Sequence, residues 1–182
     1  MFNIKLKYLI CNLSIVHKSF KHGKNLKMGY FNVILNDVIV GDDVDIQHHT
    51  LIKSGTRVGN GCYIDSYVLF SGNCYIGNNV IMRYRTVIAR NVTIEDDVFF
   101  TAGVKTIYLD HSAQATPKPL LIKSGNYFGD NSIIMGGVTI EENCIIGAGA
   151  FVNKDTEPMG VYVGIPARRM RDADEDELWW RK

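Results

Sequence analysis

The sequence predicts an all-β chain wound into a parallel β-helix, a solenoid of short strands stacked coil on coil. Three observations carry this. From Met28 to Val152 an apolar residue recurs at every sixth position, with one interruption between Phe100 and Ile122. The fifth residue of each six is never larger than Val or Asn, running Asn32, Val38, Val44, Thr50, Thr56, Cys62 and onward to Thr156. The second is repeatedly Gly, at Gly29, Gly41, Gly59, Gly77, Gly129 and Gly147. A period of six is neither helical nor a plain alternation. It suits two or three extended residues followed by a tight corner. The large residue fills the coil, the small one fits where the wall bends, and Gly is expected to supply backbone freedom at the corner. Three sixes close a triangular coil, so residues eighteen apart stack about 4.8 Å above one another. Val40, Val58, Ile76 and Ile94 are predicted to form one ladder, and Ile34, Ile52, Phe70 and Ile88 the next.

The chain of 182 residues is one domain by length, and its net charge of +1 gives no general pull toward nucleic acid or a membrane. The charge is uneven. Residues 1–27 carry six Lys and no acid, and residues 172–177 carry five acids. Cys62, Cys74 and Cys144 fall on the small fifth position, which predicts buried thiols rather than disulfides, and a reducing cytoplasm as the setting.

In chain order, residues 1–27 stand apart as an N-terminal capping segment. Tyr8–Val16 is an apolar run flanked by Lys, too short to span a bilayer and without a cleavage site after it. It either covers the open end of the first coil or makes a weak basic contact with an anionic membrane surface. Residues 28–168 form the β-helix domain. Their corners carry the polar residues, among them Asp42-Asp43, His48-His49 and Arg83-Tyr84-Arg85. A metal at His48-His49 needs more His one coil away, and eighteen residues either way hold Tyr30, Phe31, Ser66 and Tyr67. No metal is therefore expected. Arg83 and Arg85 are either solvated corner residues or contacts for an anionic substrate. The loop 106–121 breaks the beat, since 22 residues separate Phe100 from Ile122. Pro117 and Pro119 keep it out of a ladder, and it carries the Asp110-His111 pair. Residues 169–182 form a tail, with acids suited to the first turn of a short helix and Trp179-Trp180 to anchor it or to stack on a ligand.

From about Gly41 to Arg171 the sequence resembles the hexapeptide-repeat acyltransferases. The most specific stretch runs from Pro119 to Ile140, followed by Ile146-Gly-Ala-Gly-Ala150 and Gly164-Ile-Pro-Ala-Arg168. That order of motifs is similar to the maltose, galactoside and lipopolysaccharide sugar O-acetyltransferases, and sugar-nucleotide N-acetyltransferases share nearly all of it. The resemblance implies a left-handed coil, a homotrimer, and acetyl-CoA lying in the groove between two subunits. It implies a loop His as catalytic base, a place that His111 occupies; in such a role Asp110, or a backbone carbonyl, is expected to orient the ring. It further implies that the thiol arm passes Asp130 and Ala148 with Asn153 and Lys154 nearby, and that Arg168 and Arg171 hold the nucleotide phosphates. Asp130 and Asn153 depart from the Ser and Thr usual at those places, and the loop is shorter than in the sugar O-acetyltransferases.

Three functions follow. The first moves an acetyl group from acetyl-CoA to a sugar hydroxyl in surface polysaccharide or lipopolysaccharide biosynthesis, with imidazole as a base usable at neutral pH. The second acts on the amine of a nucleotide-linked amino sugar. The third is a β-helix binding or assembly protein without catalysis, in which His111 is an exposed loop His.

Overall fold

In the computed structural model, which describes residues 8–11, 13–108 and 119–181, the chain is a β-solenoid of about eight coils. Among the described residues the strands form three sheets, of nine, nine and seven strands. Most strands are two residues long, and the three sheets are the sides of a prism. The register is the predicted one: Val40 pairs with Val58, Val58 with Ile76, and Ile76 with Ile94. On the next side Ile34, Ile52, Phe70 and Ile88 pair in turn. These first-position side chains fill the axis of the prism, and fully burying each contributes about 1.5–3 kcal/mol. The fifth-position residues from Asn32 to Thr156 are all buried beside them. Most of the polar ones bond to backbone, although Ser132 Oγ is buried without a hydrogen-bond partner among the described residues. Asn32 Oδ1 accepts from Thr50 N at 2.8 Å, and its Nδ2 donates to Gln47 O at 2.8 Å. Cys62, Cys74 and Cys144 are buried free thiols, and burial pushes Cys74 and Cys144 above the ordinary thiol range.

The corners differ from the expectation. The left-handed residue is the fourth of each six, not the second: Asp43, Gly55, Gly61, Asn73, Asn79 and Asp97 all have φ between 51° and 76°. Asn, Asp and Gly tolerate that region, which explains their dominance there. The second-position glycines are kept for space. A Cβ on Gly59 would lie 2.4 Å from Gly77 O, and one on Gly129 would lie 2.5 Å from Ala148 N. Coil stacking brings backbone against backbone at that place, and no side chain fits between.

The parallel pairing begins at Ser14, so the boundary expected after residue 27 falls within the coiled region. Ser14–His17 pairs with Val33–Ile34, and Lys21–His22 with Ile39–Val40. The sequence hides this coil because its first-position residues are Val16, His22 and Met28, and the exposed His22 breaks the apolar rule. Tyr8–Cys11 runs antiparallel along Ser14–His17 and closes that edge. The interruption is also narrower than 106–121. Lys105–Thr106 and Leu121–Ile122 are both strands of the coil. Pairing across the interruption steps 28 residues instead of 18, as in Thr93 with Leu121 and Lys105 with Ile133. Ten residues are thus inserted without disturbing the stack.

At the other end Gly160–Val163 pairs with Ile145–Ile146, and Arg168–Asp172 returns antiparallel beside it. The expected short helix is a single 3-10 turn, Glu175–Glu177. Trp180 is buried against Tyr127 with ring centroids 5.0 Å apart, whereas Trp179 is 70% exposed. Arg171 grips Glu177 through two hydrogen bonds of 2.7 and 2.6 Å.

Two expectations follow. Gly59→Ala should cost about 1–3 kcal/mol through overpacking, while Gly149→Ala, with nothing within 4 Å but φ +67°, should cost about 1–2 kcal/mol from backbone strain alone. Equilibrium urea unfolding checks the order, and a Gly59→Ala midpoint above that of Gly149→Ala contradicts the spacing role. The second concerns the tail. The Arg171 hydrogen bonds, helped by Asp174 N–H, lower the Glu177 carboxyl from 4.5 to about 2. A depressed carboxylate stabilises the docked tail above its ordinary range, and that support is lost as pH falls from about 4.5 toward about 2. Tryptophan emission should report undocking in this window, and Glu177→Gln should remove the dependence.

Candidate active site

One corner column changes character halfway along the prism. It follows the sheet that contains Asp45–Ile46, Tyr63–Ile64 and Phe99–Phe100. In the lower coils it is bulky: Tyr30-Phe31, His48-His49, Tyr67, then Arg83-Tyr84-Arg85. Phe31, His49, Tyr67 and Arg85 hold the left-handed conformation that other corners give to Asn, Asp or Gly. Ring stacking offsets that strain, with Phe31 to His49 at 5.0 Å and His49 to Tyr67 at 4.9 Å. In the upper coils the same column is mostly small: Thr101-Ala102-Gly103, Gly129-Asp130-Asn131 and Gly147-Ala148-Gly149.

The step between the halves makes an open groove of about 370 Å³ whose lining includes Asp65, Arg83, Tyr84, Asp130 and Trp179. The fold thus brings Arg83 and Asp130 together. Arg83 Nε lies 3.5 Å from Asp65 Oδ2, and Arg85 sits over the Tyr84 ring at 5.1 Å. With two carboxylates against one guanidinium, the groove suits hydroxyl groups better than an anion, the second of the two alternatives for Arg83. Burial, and then the Asp130 charge, push the Tyr127 hydroxyl above its ordinary value.

Asp130 also has a structural duty. On the corners, a third-position side chain often accepts the N–H of the coil below it. Tyr30 N donates to His48 Nδ1 at 2.9 Å, and Ala102 N to Asp130 Oδ1 at 3.0 Å. Ser66 does the same for His48 N at 3.3 Å, so Asp130 fills an acceptor place that Ser also fills. Ala148 has no such oxygen, so the ladder stops. The exposed Asp130 is left with an N–H that has no acceptor among the described residues.

The remaining expected residues lie around this upper corner. Gly164 and Ala167 bond to Phe151 at 3.0 and 2.7 Å, which carries the chain across the top of the prism to Arg168. Arg168 is exposed and meets no carboxylate among the described residues. Arg171, by contrast, is engaged by Glu177, so the two arginines are not equivalent. Asn153 and Lys154 lie on the next corner, beyond Phe151–Val152. Asn153 Oδ1 is buried without a hydrogen-bond partner among the described residues. The insertion leaves from that same corner two coils below, after Tyr108 and before Pro119. Asp110 and His111 lie outside the described residues. His48 and His49 are spent on stacking and corner bonding, and no group of three metal-ligating side chains occurs among the described residues.

Sequence reasoning missed Lys53, Arg90, Tyr108 and the partial exposure of Trp179 over the groove. Lys53, Ser71, Ala89 and Ile107 are one column at eighteen-residue steps, a signal that emerges only when columns are followed for polar as well as apolar residues.

The chain matches the Bacterial transferase hexapeptide (six repeats) family over residues 55–90 and 120–154. It is 30% identical to the galactoside O-acetyltransferase of Escherichia coli K12 over 150 residues, 75% of this chain and 74% of that protein. The structure of a maltose O-acetyltransferase from Clostridium difficile 630 is similar at TM-score 0.60 and 27% identity, covering 67% of this chain and 71% of that one. A hexapeptide-repeat acetyltransferase of Vibrio cholerae O1 biovar eltor, complexed with acetyl coenzyme A, is similar at TM-score 0.57 and 25% identity, covering 66% and 72%. The matched segments lie on either side of the insertion and contain the same stacked sixes. With identity sustained over three quarters of both proteins in the first of these relatives, the chain belongs to the bacterial hexapeptide-repeat transferases.

Proposed function

We propose that the protein transfers an acetyl group from acetyl-CoA to a sugar hydroxyl, acting as a homotrimer in the cytoplasm during surface polysaccharide or lipopolysaccharide synthesis. The observation that carries this reading is the upper corner, where small residues, an Asp130 N–H without an acceptor among the described residues, and exposed Ala148 and Gly149 form a strip of accessible backbone. Backbone donors without bulky neighbours suit the amides of a pantetheine arm. Arg168, free of carboxylates among the described residues, stands at the end of that strip to meet phosphate. Asn153 and Lys154 lie on the adjoining corner. Arg171 reaches phosphate only by releasing Glu177, so it contributes less. The kinship with sugar acetyltransferases supplies the reaction class.

In the reaction, His111 takes the proton of the acceptor hydroxyl as its oxygen attacks the thioester carbon, and Asp110 orients the ring. The new C–O bond forms, the C–S bond breaks, and the imidazolium returns its proton to the leaving thiolate.

His111→Ala should lower turnover by roughly 100-fold or more, followed as free thiol released from acetyl-CoA. Unchanged turnover removes this residue from the mechanism. A requirement for an amino sugar in place of a hydroxyl sugar moves the activity to N-acylation.

A further inference from the structure

A second groove, of about 490 Å³, opens on the corner from which the insertion leaves, and its lining includes Lys53, Ser71, Ala89, Arg90, Ile107 and Tyr108. Its shape follows from the sequence of that corner. The coil at Ser71-Gly72 is small, and Gly72 is buried at φ +106°, where an added Cβ would lie only 3.0 Å from Ser54 O. The next coil offers only Ala89 at the second place. Lys53 below and Arg90 above therefore flank a dip. They lie two coils apart, about 10 Å along the axis, within reach of one ligand for side chains of this length.

The upper wall is held firmly. Thr106 replaces the usual large apolar residue, and its Oγ1 accepts the Ala89 N–H at 2.7 Å. Ile107 N donates to Ile134 O at 2.8 Å. The backbone carbonyls of Ile107 and Tyr108 approach Gly136 so closely that a Cβ there would lie 2.7 Å from each. Tyr108 is 37% exposed and forms the rim. The described lining holds no carboxylate, and neither Lys53 nor Arg90 has an ion-pair partner among the described residues. This contrasts with the first groove, where Asp65 and Asp130 outweigh Arg83. Two cations with no counter-charge among the described residues, a serine hydroxyl and an aromatic rim are the chemistry of a phosphoryl group attached to a ring.

We propose that Lys53 and Arg90 form an anion subsite for the acceptor, so that the acceptor is a sugar carrying a phosphoryl group rather than a neutral glycoside. The inference rests on the acetyl-transfer reading for its identification of the ligand as acceptor. It accounts for a positive groove whose wall at Ile107 and Tyr108 closely precedes the Asp110-His111 pair in the sequence, on a different corner from Arg168, which is assigned above to the donor. The shared chemistry is phosphate on a sugar, as a hexose 1-phosphate or as a nucleoside diphosphate sugar.

Thermal unfolding of the full chain with UDP, galactose 1-phosphate, inorganic phosphate or galactose tests it. The phosphorylated ligands should raise the melting temperature and galactose should not. UDP outperforming galactose 1-phosphate assigns a nucleotide-linked acceptor, and the reverse assigns a sugar phosphate. Lys53→Gln and Arg90→Gln should each weaken this binding roughly ten-fold, as expected for loss of one charge-assisted contact. In steady-state assays they should raise the KM for the acceptor by a similar factor and leave the KM for acetyl-CoA unchanged. Equal shifts in wild type and both variants overturn the subsite, as does a rise confined to the KM for acetyl-CoA, which assigns the cations to the donor. Intact phosphate binding that depends on Lys53 and Arg90, with no thiol release from acetyl-CoA for any acceptor, keeps the subsite and discards acetyl transfer.

Discussion

The spacing between coils governs this molecule. Backbone hydrogen bonds such as Leu51 N to Val68 O at 3.1 Å repeat once per coil on each side of the prism. They fix each residue under the one eighteen positions later, so a side chain chosen at one corner restricts its neighbours above and below. Gly59 under Gly77 and Asp130 over Ala102 are two results of that restriction. The first keeps side chains out and the second supplies an acceptor. Neither is explained by the local chain alone, since both depend on what the next coil presents.

The same geometry explains how one corner holds two materials. Aromatic rings about 5 Å apart match the coil spacing closely enough to stack, as Phe31, His49 and Tyr67 do. His49 has a ring on each face, Phe31 below and Tyr67 above, so it presents mainly its edge. Above Tyr84 the column shrinks to Ala102 and Gly103, and the missing volume is the groove. Concavity on a prism with flat sides arises from such a change in side-chain size along a column. The second groove, beside Ser71 and Ala89, has the same origin.

Much of this is legible in the sequence. The six-residue beat specifies the register within each run and nearly all of the core between Ile34 and Val152, because a buried axis tolerates few exceptions. What the beat does not reveal has identifiable causes. His22 is exposed at an end coil, where the axis need not be sealed, so the first coil looks like a separate segment. Thr106 is buried yet polar, because its hydroxyl replaces a ladder acceptor, and the interruption looks wider than it is. The second-position glycines look suited to the corner conformation, whereas their role is contact between coils. The grooves emerge only when columns of eighteen are followed for size and charge as well as hydrophobicity. Arg168 and Arg171 look alike in sequence, and only the docked tail distinguishes the free guanidinium from the one bound to Glu177.

The ten-residue insertion between Thr106 and Leu121 is accommodated with the strands on both sides in unbroken register. The entropy of closing such a loop grows only by about 0.6 kcal/mol for each doubling of its length. A segment grafted here in place of the present one would therefore change what is displayed beside the grooves while leaving the melting behaviour of the scaffold nearly untouched. This corner is the natural splice point for recombining the scaffold with other segments.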